Sequence, residues 1–177
     1  REGGFDVVCH LAAQIDVRKS VADPAFDASV NIGGSLNLLE AVRASGRKTR
    51  FIFSSTAATY GIPDVVPVSE DSPQRPINPY GESELMFEKM LRWYHEIHGL
   101  EFVAFRYFNA AGASERFGEH HRIETHIIPN VLKVALGQKP HCEVYGTDYP
   151  TPDGTCIRDY IHIADLAQAH ISALAPG

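Results

Sequence analysis

The chain has 177 residues, with 16 Lys and Arg against 22 Asp and Glu, a net charge of −6. An acidic balance without a basic run argues against nucleic-acid or anionic-membrane binding, and no apolar stretch reaches the ~20 residues that a membrane helix needs. With 44% hydrophobic residues, 14 Gly and 11 Pro, the composition is globular rather than disordered. Cys9, Cys142 and Cys156 are widely spaced and form no CxxC pair, which suits reduced thiols in a cytoplasm. The chain opens at Arg1 without Met and enters a strand pattern almost at once. It stops at Ala175-Pro176-Gly177 just after a helical pattern, so it reads as an excerpt from a longer protein.

In chain order, Phe5–Leu11 is a nearly continuous apolar run, the pattern of a parallel strand buried on both faces. Asn31 to Ala44 is predicted helical, with Leu36, Leu38, Leu39 and Val42 on its apolar side and Gly46 as a stop. Arg50–Ser54 is a second buried strand, running into the hydroxyls of Ser54, Ser55 and Thr56. Five prolines between Gly61 and Pro79 mark a loop. A long helix follows, opened by Pro79 and closed after His98 by Gly99. Glu101–Tyr107 is a third strand, Ala110–Glu119 a loop, Ile127–Leu136 a helix, Glu143–Tyr145 a short strand and Ile163–Leu174 a last helix. Alternation of strand and helix predicts an α/β fold, a Rossmann-like parallel sheet with flanking helices. Ligands of such sheets bind past the carboxyl ends of the strands, which directs attention to Ala12-Ala13, Ser54-Ser55-Thr56 and Asn109.

Tyr80 falls in the first turn of the long helix, on one face with Glu84, Phe87, Leu91 and Tyr94. The positive end of the helix dipole favours a phenolate there. A hydroxyl from Ser55 or Thr56 at a strand end could share a proton with it. To act as a base near neutrality, a tyrosine must fall well below its ordinary pKa of about 10. On its own, a tyrosine opening an amphipathic helix is also what a purely structural residue looks like.

The combination of motifs says more. His10-Leu11-Ala12-Ala13 ends a strand, and Asn31 precedes Gly33-Gly34-Ser35. Ser54-Ser55-Thr56-Ala57-Ala58-Thr59-Tyr60-Gly61, Asn78-Pro79-Tyr80-Gly81 and Arg106-Tyr107-Phe108-Asn109 follow, and the stretch from Tyr145-Gly146-Thr147-Asp148-Tyr149-Pro150 to Arg158-Asp159-Tyr160-Ile161-His162 comes last. Over essentially its whole length the chain resembles the extended short-chain dehydrogenase/reductase superfamily and, within it, the UDP-glucose 4-epimerases. The resemblance implies residues 1–110 as part of an NAD-binding Rossmann domain. It implies residues 111–177 as the beginning of a smaller substrate-binding domain for the nucleotide sugar, with a last strand and helix returning to the first domain. By the same resemblance Tyr80 is the catalytic base, and Thr56 shares the proton of the sugar 4-hydroxyl. Leu11, Ala12, Ala13 and Asn31 line the NAD, Phe108 lies at the nicotinamide, and Asn109, His126, Tyr145 and Arg158 contact the UDP-sugar. The implied reaction is oxidation at C4, turnover of the 4-keto sugar and return of the hydride to its other face. The implied assembly is a homodimer through the outer faces of the 31–44 and 79–98 helices.

Two departures from the family pattern stand out. Where the family has Tyr-x-x-x-Lys, this chain has Tyr80-Gly81-Glu82-Ser83-Glu84. A carboxylate there opposes a phenolate instead of favouring it, so epimerisation is expected to be severely impaired, although Glu84 can still accept from ribose hydroxyls. The Gly-rich phosphate loop is also missing, because Gly33-Gly34 lies inside a helix start. Ala57-Ala58 after Thr56 cannot transfer protons, which disfavours the 4,6-dehydratases of the same superfamily; another sugar-nucleotide epimerase of that superfamily, or a catalytically silent binder of NAD or nucleotide sugar, stays open. His120, His121, Glu124 and His126 lack the spacing of a His-Glu-x-x-His site and read as solvated loop residues, so no metal is expected. Without a Gly-x-Ser-x-Gly elbow, His10 and Ser54-Ser55 do not make a hydrolase. Cys9 reads as a core thiol, and Asp165 as a helix-start acid.

Overall fold

The computed structural model describes residues 4–121 and 124–175. They group into two compact units, one of Arg1–Phe108 with His170–Gly177 and one of Asn109–Ala169.

The first unit is built on three parallel strands in the order β1-β2-β3: β1 Val7–His10, β2 Arg50–Thr56 and β3 Phe102–Tyr107. Val8 pairs with Phe51, His10 with Phe53 and Thr56 with Tyr107. Parallel pairing brings Leu11–Ala13, Thr56 and Phe108 out along one edge, the carboxyl edge of the sheet. Apolar side chains of β2 pack against two helices, α3 (Ser35–Ala44) and α4 (Pro79–His98). Leu39, Val42, Phe51, Phe53, Phe87 and Leu91 form this core, and the Phe53 and Phe87 rings meet edge to face at 4.8 Å. Full burial of each such side chain is worth about 1.5–3 kcal/mol.

Helix α4 has the predicted bounds, for local reasons. Asn78 caps its start by accepting from Gly81 N at 2.8 Å, Pro79 takes the first helical position, and Gly99 ends it at φ 67°, a left-handed conformation that glycine adopts without strain. Before α3 the chain is helical much earlier than expected. Helices α1 (Val17–Ala22) and α2 (Pro24–Ala28) are each capped by an aspartate, Asp16 and Asp23, and a π-helical turn at Ser29–Gly34 carries Asn31. After β2, Ala57–Tyr60 forms a 3-10 turn, and the proline-rich stretch up to α4 is irregular as predicted.

In the second unit, β4 (Asn109–Ala111) pairs in parallel with β5 (Tyr160–His162), and α5 (Ile127–Ala135) lies between them in sequence. Helix α6 (Ile163–Ala173) starts in this unit with Asp165 in its first turn. The short strand expected at Glu143–Tyr145 does not form: no neighbouring segment pairs with it among the described residues, and it stays irregular. Cys9 is exposed rather than in the core, because alternation along β1 turns His10 toward the aromatic core and Cys9 to the opposite face of the sheet.

Candidate functional site

Tyr80 sits half-buried at the N-terminus of α4, with its backbone N–H donating to Ser20 Oγ at 3.2 Å. Gly81 explains how the helix comes so close to the sheet. A Cβ on it would meet Ala58 O at 2.7 Å and Pro76 Cβ at 3.1 Å, so the start of α4 lies directly on the turn that follows β2. That turn is capped by Thr56, whose Oγ1 accepts from Ala58 N at 3.1 Å. The Thr56 hydroxyl is near enough to the Tyr80 phenol to act on it, in the direction that lowers its pKa. The net displacement is upward, to about 12: burial raises it most, the Glu84 carboxyl next, and Asp27 adds to both.

Glu84 lies one turn beyond Tyr80 and is 2% exposed. Its Oε2 is a buried oxygen without a hydrogen-bond partner. Burial, then Asp27, then Glu88 push the Glu84 carboxyl up to about 8. The surrounding acids are themselves well held. Asp27 Oδ1 accepts from Gln14 Nε2 at 2.8 Å and Oδ2 from Ser83 Oγ at 2.7 Å. Glu88 receives Arg106 Nη2 at 2.8 Å, Ser55 Oγ at 2.5 Å and Gln74 Nε2 at 3.2 Å. Burial works to raise the Glu88 pKa, but the Arg106 and Ser55 hydrogen bonds prevail and hold it low. Glu84 is thus the acid of this group left with an oxygen unpaired.

The remaining candidates of the first unit line the carboxyl edge. Leu11 is 61% exposed just past β1, and Phe108 42% exposed just past β3. Ala12 is exposed and Ala13 half-buried. Asn31 is buried and ties this edge together: it accepts from Gln14 N at 2.7 Å and donates to Gln14 O at 3.0 Å and Ser83 Oγ at 3.2 Å. Of the second unit's candidates, Asn109 opens β4 and donates to Asp159 O at 2.7 Å, next to Arg158, an exposed residue of the loop before β5. His126 caps α5 and contacts Glu124 at 2.9 Å, while Tyr145, in a loop, donates to Glu143 at 2.5 Å. Within the units, then, Thr56, Tyr80 and Glu84 come together, as do Asn109 and the residue next to Arg158; His126 and Tyr145 occupy separate segments. His10 bonds Ser35 at 2.7 Å, not a serine of β2.

The sequence reading did not single out Asp27, Ser83, Glu88 or Arg106. Helical spacing carried a signal for one of them, since Glu88 lies one turn past Glu84 on the face that buries Phe87 and Leu91.

Residues 1–176 match the family described as NAD dependent epimerase/dehydratase. The chain belongs to it. Among similar members of the epimerase/dehydratase family is a UDP-glucose 4-epimerase from Lacticaseibacillus casei, 52% identical over 172 residues, which are 96% of this chain and 52% of that one. Two solved structures are similar in the same way. The UDP-glucose 4-epimerase from Brucella ovis in complex with NAD is 50% identical with a TM-score of 0.89, covering 96% of this chain and 52% of the other. That from Bifidobacterium longum in complex with NAD+ and UDP is 40% identical with a TM-score of 0.91, covering 98% and 53%. The chain spans about half the length of the curated relatives it matches.

For a family named for NAD, the carboxyl edge offers a consistent surface. Leu11 and Phe108 present apolar area that suits a flat ring, Ala12 leaves room for close approach, and the Tyr80 and Thr56 hydroxyls stand at the end of the middle strand. Those residues fit the nicotinamide end of the cofactor, whereas Glu84 Oε2 is buried and presents no acceptor at the surface.

Proposed function

We propose that the protein containing this chain is an NAD-dependent epimerase acting at C4 of a UDP-hexose, UDP-glucose or UDP-galactose, with turnover held low by Glu84. The observation that carries the reading is the Tyr80 phenol at the start of α4, near enough to the Thr56 hydroxyl for it to act on the phenol, beside an apolar strand-end surface. NAD, when bound, accepts a hydride from the sugar and returns it. Tyr80 takes the proton of the 4-hydroxyl, and Thr56 holds the hydroxyl and relays the proton. Leu11, Ala12, Ala13, Asn31, Glu84 and Phe108 line the cofactor in this reading. Asn109, His126, Tyr145 and Arg158 hold the nucleotide sugar, with the Arg158 guanidinium suited to a diphosphate. Residues 1–110 thereby belong to the NAD-binding domain and 111–177 to the nucleotide-sugar region.

Several features support the wider assignment. Met86, Trp93 and Ile97 are 50%, 60% and 67% exposed on α4, an apolar stripe suited to a homodimer through α3 and α4. Among the described residues no helix is long and apolar enough to cross a membrane. The three cysteines are free and exposed, which suits a reducing cytoplasm, and action on UDP-galactose would give the protein a place in galactose metabolism.

Full-length protein incubated with UDP-galactose and NAD tests the reading: slow formation of UDP-glucose supports it. Binding of both ligands with neither UDP-glucose nor absorbance at 340 nm overturns it in favour of a catalytically silent binder. The specific observation favouring that second reading is the Tyr80 phenol at about 12.

A further inference from the structure

The loop ahead of α5 gathers two imidazoles and two carboxylates. One ligand atom from each of Glu119, His121, Glu124 and His126 falls within a set no wider than 4.8 Å. His126 Nδ1 lies 2.9 Å from Glu124 Oε1 and 3.3 Å from Glu119 Oε1, and His121 Nδ1 lies 3.6 Å from Glu124 Oε2 and closer still to Glu119 Oε1. A tetrahedral zinc ion with bonds of about 2.0–2.2 Å sets its ligand atoms about 3.3–3.6 Å apart, so these separations bracket those of a coordination shell. The spacing in sequence argued for scattered, solvated histidines; the fold instead turns the Nδ1 atoms of both rings, whose centroids are 4.9 Å apart, toward the same two carboxylates.

The cluster is anchored as well as convergent. The Glu124 side chain is 6% exposed, and its Oε1 accepts from His126 N at 2.7 Å. His126 in turn is fixed at the cap of α5, where its carbonyl accepts from Asn130 Nδ2 at 2.8 Å. The rings stay open to solvent, His121 at 40% and His126 at 56%, which leaves a path for an ion. With both imidazoles neutral, the four side chains carry a charge of −2, which a divalent cation neutralises. Neutral imidazole with carboxylate is a donor set that borderline transition metals accept and that calcium or magnesium, bound through oxygen, do not select.

We propose that Glu119, His121, Glu124 and His126 form a binding site for one divalent transition-metal ion of the zinc class. The site lies within the second unit and is tested with metal alone, so its failure is separate from failure of the epimerase reading.

The test is a titration of chelator-treated full-length protein with Co2+, followed by its visible absorption, with Zn2+ as the displacing ion and equilibrium dialysis to count it. The expected result is one equivalent bound, with the Kd raised at least tenfold by His121→Ala and by His126→Ala, and unchanged by His141→Ala. Absence of a stoichiometric site, or equal affinity in all three variants, overturns the proposal. Nitrogen-15 spectra of the unmutated protein guard against misfolded variants: Zn2+ must shift the Nδ1 signals of two histidines, and an unperturbed set of imidazoles likewise refutes the site.

Discussion

Replacing Glu84 by lysine is the perturbation that bears most directly on the site. At about 12, the Tyr80 phenol leaves roughly one phenolate in 10^5 molecules at pH 7. Part of that displacement comes from the Glu84 carboxylate, which is charged only above about pH 8, so at pH 7 the substitution acts chiefly through the positive charge it brings. An ammonium a few ångströms away lowers the pKa of an ionising neighbour by about 1–3 units. Each unit raises the phenolate population about tenfold, or ~1.36 kcal/mol. Tyr80 is half-buried, so solvent weakens the effect and the lower part of the range applies: a gain of about 10- to 100-fold in kcat is expected of Glu84→Lys at pH 7. The new charge has partners in place, since Asp27 and Glu88 are buried close to Glu84 and already act on its carboxyl. The assay is UDP-galactose turnover by full-length protein between pH 6 and 10, and the rising limb of kcat must move to lower pH. Equal turnover and an unshifted limb in the lysine variant would refute the electrostatic reasoning.

The same carboxyl links stability to pH. Glu84 titrates at about 8 in the fold against 4.5 as its ordinary value, so the folded state holds a proton that the unfolded state releases. Its contribution is complete below pH 4.5 and declines as pH rises to 8, by up to about 4–5 kcal/mol for 3.5 units at ~1.36 each. Glu84→Gln should flatten this decline, and melting curves at pH 5 and pH 8 will tell; an equal fall in both proteins excludes Glu84 as the cause. Tyr80→Phe should cut turnover about 10^2–10^4-fold while leaving the melting temperature within a few degrees, because the backbone bond to Ser20 remains. Arg106→Gln strips Glu88, 2% exposed, of its closer ion pair, leaving Arg92 at 3.8 Å, and should cost roughly 3 kcal/mol in urea unfolding; a loss below ~1 kcal/mol means that Arg92, Ser55 and Gln74 suffice to hold the charge.

What could be read before the structure was known follows a physical division. Strands β1 to β3 and helix α4 announce themselves because apolar runs and the Asn78-Pro79 and Gly99 caps are local signals. Helices α1 and α2 also carry local caps in Asp16 and Asp23, but at six and five residues they are too short for a periodicity to stand out. Strands β4 and β5 are three residues each and exist through pairing across some fifty positions, which no window along the chain contains. Glu143–Tyr145 has the residues of a strand and, among the described residues, lacks the neighbour that makes one. At the site, the phenol, the hydroxyl and the misplaced carboxylate were legible from their motifs. Of the acids beside Glu84, Glu88 carried a signal in its helical spacing, but Asp27 arrives from another helix, and the partner of Glu88, Arg106, from a strand.

The close seating of Gly81 on Ala58 has a consequence for how this scaffold can drift. Main chain rests on main chain there, so the gap between the Tyr80 and Thr56 hydroxyls is gauged by peptide groups, whose dimensions mutation does not alter. Substitutions in the surrounding lining can retune charge, shape and ligand preference while that gauge stays set, and a methyl group at position 81 is the smallest change that would spread it.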